Sequence, residues 1–290
     1  MSQHCFLNGK LVSLSKATLS VHDIGVLRGF GLFEALRTYK RKPFHLGDHL
    51  RRLKNAAERF NIQVPMSDAK IARAIDALVA KNVSKNKEAN IRIILTGGEA
   101  IHLIEFRPAH PTFYILAEEF KPPLTQYYQS GCTLIVQEFQ RQFPEYKTTN
   151  YIQAVSLQTK MKKAGALEIL YVSDGLVREC SASNIFIVKR GVLVTPHKMI
   201  LEGITRKVVI QEARRAGIRV KERDVSVQEL YNADEAFIAS SFKEIVPVIK
   251  VGNRKIGNGK VSPTTTRVID LFRAATHLNH QGRTLINVVL

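Results

Sequence analysis

Alternation of apolar and polar residues with a period of two predicts several short strands in residues 1–120. Asn8-Gly9, which lies between two apolar runs, is typical of a two-residue hairpin. The other predicted strands here are Leu32–Tyr39, Asn90–Leu95 and Pro111–Glu119. Apolar residues at helical spacing predict two amphipathic helices between them, Leu46–Phe60 and a second that runs from Ser67-Asp68 to about Lys81.

The rest of the chain contains both segments with the period-two alternation of strands and segments with the apolar spacing of helices. The predicted strands are Cys132–Phe139, Leu167–Val172, Asn184–Val188, Val192–Thr195, Val220–Val225, Glu235–Ser240 and a paired region over Ile245–Ile256. The predicted helices are Tyr151–Ala164, Thr205–Ala216 and Thr264–Leu278. Because strands and helices do not alternate strictly, the order favours a mixed α+β fold over a doubly wound sheet.

Two consecutive prolines, Pro122 and Pro123, follow a predicted strand and precede polar residues, which is typical of a linker. We therefore predict a smaller N-terminal α/β domain over residues 1–120, a linker over residues 121–130, and a larger C-terminal domain over residues 131–290. A chain of 290 residues that is 45% hydrophobic can form cores for two modest domains.

The distribution of apolar residues and cysteines bears on the cellular compartment of the protein. No run of about 18 apolar residues occurs, so we predict no membrane span. The N-terminal residues show neither an apolar signal region nor an Arg/Ser-rich amphipathic stretch. Cys5, Cys132 and Cys180 are far apart and odd in number, with no disulfide framework or zinc spacing. We expect a cytoplasmic protein without a metal site.

The net charge of +18 is high. Such a surplus suits nucleic acid or anionic lipid, and it equally suits phosphorylated or carboxylate ligands. The basic residues are scattered over helical segments, and neither a helix-turn-helix nor an RNA-binding aromatic pattern is present. We interpret them as a solvated surface and predict no nucleic-acid partner. An inert basic binding protein is the alternative from another functional class.

Residues that can carry chemistry concentrate between residues 143 and 206. Lys147 offers an amine, Tyr151 a phenol and Glu179 a carboxylate, while Gly203-Ile204-Thr205 opens a predicted helix with free backbone N–H groups. An aldehyde cofactor that forms a Schiff base with lysine needs an acid opposite its ring nitrogen, a donor for its ring oxygen and a phosphate cradle. Taken singly, each of these residues also has an ordinary structural interpretation: a loop lysine, a core tyrosine, a surface glutamate and a helix cap.

Two further segments supply candidates for the phosphate cradle. Ser241 follows the predicted strand Glu235–Ser240 and can donate a hydroxyl. Arg52 can add a fixed cation from the first predicted helix. Because Arg51 and Arg52 are adjacent, they point about 100° apart on that helix, and at most one of them is expected to face any site.

In this order, the segments KTTNY, ECSASNIF and LEGITR resemble the signature of the class IV, or fold-type IV, pyridoxal-phosphate aminotransferases. The segments FGLFEALRTY, HLRRL and ASSFKEIVPV are also similar to that family, so the resemblance spans nearly the whole chain. It implies a two-domain α+β fold with pyridoxal 5'-phosphate (PLP) at the domain interface, and usually a homodimer. Branched-chain aminotransferase, D-amino-acid aminotransferase and aminodeoxychorismate lyase belong to this family.

The resemblance also implies individual roles. Lys147 would form the Schiff base and move protons, Glu179 would face the ring nitrogen and Tyr151 would bond the ring oxygen. Leu201 would pack on the ring. The phosphate would be held by Arg52, Ile204, Thr205 and Ser241. Phe33 and Arg92 would contact the substrate, Phe33 at its aliphatic side chain and Arg92 at a carboxylate.

The expected reaction is transamination of an L-amino acid, most specifically a branched-chain one, with 2-oxoglutarate as the acceptor. Asn90-Ile91-Arg92 keeps the arginine but lacks the phenol of the Tyr-Ile-Arg found in branched-chain enzymes. TGGEAIH lacks the Arg-x-His trap of D-amino-acid enzymes, and Phe33-Glu34-Ala35-Leu36-Arg37 lacks a lyase threonine. D-amino-acid aminotransferase and aminodeoxychorismate lyase are therefore the alternatives within the family.

Overall fold

The computed structural model describes residues 3–278; residues 279–290 of the predicted C-terminal domain lie outside the described residues. The strands of the first half are β1 (His4–Leu7), β2 (Lys10–Ser13), β3 (Gly31–Tyr39), β4 (Lys42–Pro43), β5 (Ala89–Thr96), β6 (Ala100–His102), β7 (Glu105–Phe106) and β8 (Thr112–Glu119). Its helices are α1 (Ile24–Arg28), α2 (Leu46–Arg59) and α3 (Asp68–Asn82), with a 3-10 turn at Leu14–Lys16.

The first half forms an antiparallel six-stranded sheet in the order β2-β1-β8-β5-β3-β4. The apolar faces of α2 and α3 cover one side of it, so that Leu53 and Leu78 pack with Leu36 and Ile91 in a single core. The alternation of β3 turns Phe33 and Ala35 to the opposite side of the strand. These two side chains line the cavity described below.

The strands of the second half are β9 (Cys132–Glu138), β10 (Glu168–Ser173), β11 (Leu176–Cys180), β12 (Asn184–Lys189), β13 (Val192–Thr195), β14 (Val220–Glu222), β15 (Glu235–Ser240), β16 (Glu244–Val251) and β17 (Arg254–Lys255). The helices are α4 (Gln126–Ser130), α5 (Ile152–Ser156), α6 (Gln158–Lys163), α7 (Ile204–Arg215), α8 (Val227–Tyr231) and α9 (Pro263–Leu278). Within residues 3–278, none of the helices combines the length and the apolar character needed to cross a bilayer.

The second sheet has nine strands in the order β11-β10-β9-β16-β15-β12-β13-β14, with β17 paired to β16. It is mixed, because β9 pairs in parallel with both β10 and β16 while most other pairs are antiparallel. Helices α7 and α9 cover one face, where Val209 and Phe272 pack with Phe186 and Phe237. The mixed strand directions and the segregated helices agree with the predicted α+β class.

Two details differ from the predicted elements. The helix expected over Tyr151–Ala164 is divided into α5 and α6, because Leu157 leaves helical geometry with φ −91° and ψ 1°. Glu179 lies within the hairpin strand β11, which was not among the predicted strands. A strand position fixes its side chain more firmly than a loop position does.

The two sheets meet at the start of β3. The Phe33 N–H donates to the Lys147 carbonyl at 3.0 Å, and the Thr149 N–H donates to the Gly31 carbonyl at 2.9 Å. These backbone bonds attach the loop that carries Lys147 to the first sheet. The site described next therefore lies between the two sheets.

Candidate active site

A cavity of about 220 Å³ lies between the two sheets. Every site residue predicted from the sequence lines it, with the exception of Arg92. Its walls are formed by Phe33 and Ala35 of β3, Arg52 of α2, Arg141, Lys147 and Tyr151, the β11–β12 corner (Glu179–Asn184), Leu201 and Gly203–Thr205, and the turn after β15 (Ala239–Lys243).

The main chain of Lys147 is held by the hydrogen bond from the Phe33 N–H, whereas its side-chain amine is available for reaction. Within the described residues, Nζ takes part in no hydrogen bond or ion pair, and it lies 4.3 Å from the centre of the Phe33 ring. Burial, aided by the charge of Arg52, lowers the pKa of Lys147 to about 8. An amine with this pKa is partly neutral at physiological pH, so it can act as a nucleophile or a base.

A second lysine, Lys243, borders the same cavity. Its Nζ lies 3.0 Å from Oε1 of Glu168, a buried carboxylate that also accepts the Ala182 N–H at 2.8 Å. The Ser183 hydroxyl donates to Glu168 as well. Because the amine of Lys243 is engaged in this network, Lys147 is the better candidate for forming an imine.

Glu179 is a buried carboxylate at the cavity wall. Its Oε1 accepts from Nε of Arg141 at 2.7 Å, and its Oε2 accepts from the Leu201 N–H at 3.0 Å. Burial raises the pKa of Glu179, whereas Arg141 and the Leu201 N–H act in the opposite direction. Arg141 was not among the residues predicted from the sequence, because nothing in the local sequence indicates that its partner lies 38 positions later.

Arg52 enters the cavity with its direction fixed by a buried carboxylate. Its Nε and NH2 donate to the two oxygens of Glu34 at 2.8 and 2.7 Å, and its NH1 donates to the Glu202 carbonyl at 2.9 Å. His49 Nδ1 lies 2.7 Å from the same carboxylate. Burial by itself would raise the pKa of Glu34, but Arg52 and His49 lower it to about 2. The side chain of Arg51 is 68% exposed, as expected for only one arginine of the pair facing the site.

The N-terminus of α7 faces the cavity. Gly203 is its N-cap, and Ile204 and Thr205 are its first residues, so their N–H groups have no acceptors within the helix. A Cβ atom on Gly203 would lie 2.0 Å from Oδ1 of Asn184, whose Nδ2 donates to the Leu201 carbonyl at 2.8 Å. Only glycine fits here, and the helix dipole favours an anion at this end.

Aromatic and apolar side chains form the remaining walls. The rings of Phe33 and Tyr151 meet edge to face with centroids 5.6 Å apart. Burial raises the pKa of Tyr151 to about 12, so its hydroxyl stays protonated at neutral pH. Leu201 and Ser241 also border the cavity. Tyr151 and Ser241 thus supply hydroxyl donors at the cavity wall.

Arg92, unlike the other predicted site residues, does not line the cavity. Its NH2 pairs with Oε2 of Glu118 on the neighbouring strand β8, with both side chains about 40% exposed. It lies opposite Ala35 in the β3–β5 register, so it shares the face of the sheet that carries Ala35 without lining the cavity. A contact with substrate would require the pair with Glu118 to open.

Comparison with known proteins agrees with this geometry. A sequence model of the family described as amino-transferase class IV matches residues 31–251. The chain belongs to the class IV aminotransferases. It is an aminotransferase, and like the rest of this family it uses PLP.

Two relatives cover nearly the whole chain. A protein of Methanocaldococcus jannaschii named putative branched-chain-amino-acid aminotransferase is 35% identical over 274 residues, which is 92% of this chain and 94% of that protein. The D-alanine aminotransferase of Listeria innocua is 31% identical over 272 residues, or 92% and 93% of the two chains.

Among solved structures, the branched-chain aminotransferase of the archaeon Thermoproteus uzoniensis with norvaline is similar. Its TM-score is 0.87 at 28% identity, with 97% of each chain covered. Another similar structure is a branched-chain amino acid aminotransferase in complex with N-(5'-phosphopyridoxyl)-L-glutamate, with a TM-score of 0.86 at 26% identity over 97% of this chain and 96% of that chain.

The cavity of the present chain fits such a phosphorylated pyridine. It combines the uncommitted amine of Lys147, the buried carboxylate of Glu179 and a helix N-terminus that excludes any side chain at residue 203. These are the three groups that the aldehyde, the ring nitrogen and the phosphate of the cofactor require.

Proposed function

We propose that this aminotransferase transfers the amino group of branched-chain L-amino acids to 2-oxoglutarate, with PLP in the cavity between the two sheets. The observation that carries the proposal is the convergence of Lys147, Glu179, Arg52 and the α7 N-terminus on one cavity with an apolar wall. These groups come from separate segments of both halves of the chain. A cavity of this composition suits a ligand with an anionic end and an aliphatic end.

The cofactor would be held at several points. Lys147 would bind its aldehyde carbon, Glu179 would face its ring nitrogen and Tyr151 would donate to its ring oxygen. Leu201 would pack against the ring. The phosphate would be bound by Arg52, Ile204, Thr205 and Ser241. When bound, PLP supplies an electron-withdrawing ring that weakens the Cα–H bond of the substrate.

Proton transfer would be carried out by Lys147. With a substrate amine bound at the cofactor, Nζ would be free to accept the α-proton as a general base. The burial that lowers its pKa to about 8 makes the neutral, basic form accessible near physiological pH. Glu179 would keep the ring nitrogen protonated during this step, because a buried carboxylate stabilises the adjacent positive charge.

The apolar wall supports the branched-chain assignment. Phe33, Ala35 and Phe242 line the cavity, and Phe33 lies next to Nζ of Lys147, where the substrate α-carbon would be. The relative from Methanocaldococcus jannaschii points to the same substrate class. Arg92 stays a prediction as the group that reads a distal carboxylate, since its ion pair with Glu118 would first have to open.

D-alanine is the second candidate donor, because the Listeria innocua relative is nearly as similar as the first. Titration of the purified holoenzyme with L-leucine, L-valine, D-alanine and aminodeoxychorismate separates the alternatives. The proposal expects the visible absorption of the bound cofactor to disappear with the branched-chain L-amino acids and to return on addition of 2-oxoglutarate. Absorption that disappears only with D-alanine would reject the assignment.

We further propose two domains, residues 1–120 and 131–290, joined by a linker over residues 121–130, with the cofactor at their interface. The proposed assembly is a homodimer, and the apolar side chains of Val21, Val26 and Ile104, all more than 60% exposed, are candidates for its interface. The buried free cysteines are consistent with a cytoplasmic location. Light scattering at micromolar concentration tests the assembly, and a monomer mass would contradict it.

A further inference from the structure

Arg141 lines the cavity and has no role in the proposed function described above. Its Nε and NH2 both lie 2.7 Å from Oε1 of Glu179. Its NH1 donates to the Tyr146 carbonyl at 3.3 Å, and its NH2 donates to the Pro144 carbonyl. One guanidinium therefore contacts the buried carboxylate and the main chain of the loop that ends at Lys147.

Glu179 depends on these contacts. The residue is only 5% exposed, and a carboxylate that is removed from water stays ionised only where a cation or several N–H donors compensate it. Oε2 accepts the Leu201 N–H, and within the described residues Oε1 has only Arg141 as a partner. Burial raises the pKa of Glu179, and Arg141 is the strongest influence in the opposite direction.

We propose that Arg141 is a positioning residue, which keeps Glu179 ionised and fixed at the cavity wall and couples this carboxylate to the loop that presents Lys147. The inference rests on the proposed role of Glu179 at the ring nitrogen. A carboxylate leaves the shared proton on that nitrogen only if it is the weaker base of the two. By donating from Nε to Oε1 and holding its positive charge beside that oxygen, Arg141 weakens the basicity of Glu179 and so favours the protonated ring.

The other groups near Glu179 do not substitute for Arg141. Tyr151 and Tyr171 have pKa values raised by burial to about 12 and stay neutral. Burial also raises the pKa of the Cys180 thiol. Two other charged residues interact electrostatically with Glu179, namely Lys147 and Arg52. Arg52 is bonded to Glu34, and the amine of Lys147 is committed to the cofactor in the holoenzyme.

The test uses the holoenzyme with Arg141→Met, which removes the charge at similar length, and Arg141→Lys, which keeps a charge without the forked geometry. Arg178→Met is the matched control, because Arg178 is a buried arginine of the same strand as Glu179 and bonds Ser173 instead. The readouts are the pH midpoint of the visible absorption of bound PLP and the rate at which this absorption disappears with L-leucine.

Arg141→Met should move the pH midpoint upward, because a positive charge near Lys147 is lost, and should slow the reaction about tenfold or more, the effect of one charge-assisted hydrogen bond. Arg141→Lys should fall between Arg141→Met and the wild type. Arg178→Met should leave both readouts unchanged. If Arg141→Met leaves them unchanged, or if Arg178→Met alters them equally, the inference is wrong.

The variants Glu179→Gln and Arg141→Met/Glu179→Gln show whether Arg141 acts through Glu179. In the Glu179→Gln background, removal of Arg141 should change the rate much less than it does in the wild type. An equal change in both backgrounds would overturn the coupling. If Glu179→Gln alone changes neither readout, the assignment of Glu179 to the ring nitrogen fails, and the inference fails with it. If Glu179→Gln has an effect and Arg141→Met has none, only the inference about Arg141 fails.

Discussion

Replacement of Glu34 by glutamine tests whether Arg52, which we propose to bind the phosphate, is held by a buried ion pair. Glu34 is fully buried and receives two bonds from Arg52 and one from His49. Glutamine keeps the shape of the side chain and removes its charge. Arg52 and His49 then lose their anion, and the orientation of Arg52 toward the cavity is no longer fixed.

The size of the expected loss in stability follows from the pKa of Glu34, which falls from 4.5 to about 2 in the folded protein. Such a group contributes about 3 kcal/mol to the free energy of unfolding at neutral pH. Because the folded-state pKa is depressed, this contribution is complete above pH 4.5 and is lost as the pH falls toward 2. The stability difference between wild type and Glu34→Gln should therefore be about 3 kcal/mol at about pH 7 and about 1 kcal/mol at about pH 3.

The assay is urea unfolding of both proteins at several pH values. Glu118→Gln is the control, because Glu118 pairs with Arg92 at a site where both side chains are about 40% exposed, and loss of such a pair costs less than about 1 kcal/mol. PLP affinity should also fall for Glu34→Gln, while the affinity for pyridoxal, which lacks the phosphate, should not. If Glu34→Gln is as stable as Glu118→Gln at neutral pH, or if it binds PLP with wild-type affinity, the reasoning is refuted.

The remaining predictions concern the cradle, the base and the substrate pocket. Gly203→Ala should weaken PLP binding at least about tenfold in an absorbance titration, because the added Cβ meets Asn184, whereas Gly47→Ala, with open space around it, should not. The rate of PLP capture by the cofactor-free protein should rise with pH with a midpoint near 8, the pKa of Lys147, and level off as the amine becomes fully neutral; a midpoint near 10.5, the ordinary value, would contradict this. Phe33→Ala should raise KM about tenfold or more for leucine and less for alanine, since in the proposed pocket only the leucine side chain would reach the lost ring; equal increases would contradict its place in the pocket.

Periodicity was sufficient for most of the fold. The Asn8-Gly9 hairpin and helix α2 follow from local turn chemistry and apolar spacing, and the structure confirms both. The break at Leu157 could not be predicted, because the residues from Tyr151 to Ala164 have good helix propensity and the interruption comes with the tertiary packing of Leu157.

The candidate site was predicted where its residues carry a local signal. Lys147, Glu179 and Gly203–Thr205 stand in recognisable segments, and the structure brings them to one cavity. Arg141 and Glu34 carry no such signal, because each acts through a partner 18 or more positions away, which only the folded chain places beside it. Arg92 shows the reverse case, since the family resemblance implied a contact with the substrate and its ion pair with Glu118 was not visible in the sequence.

The proposed function depends most on the bond between the amine of Lys147 and the cofactor aldehyde. Borohydride reduction of the holoenzyme, followed by proteolysis and mass spectrometry, locates the bond directly. We expect a phosphopyridoxyl group on the peptide that contains Lys147, and no adduct in Lys147→Ala. A phosphopyridoxyl group on Lys243, the other lysine of the cavity, or an adduct that persists in Lys147→Ala, would contradict it.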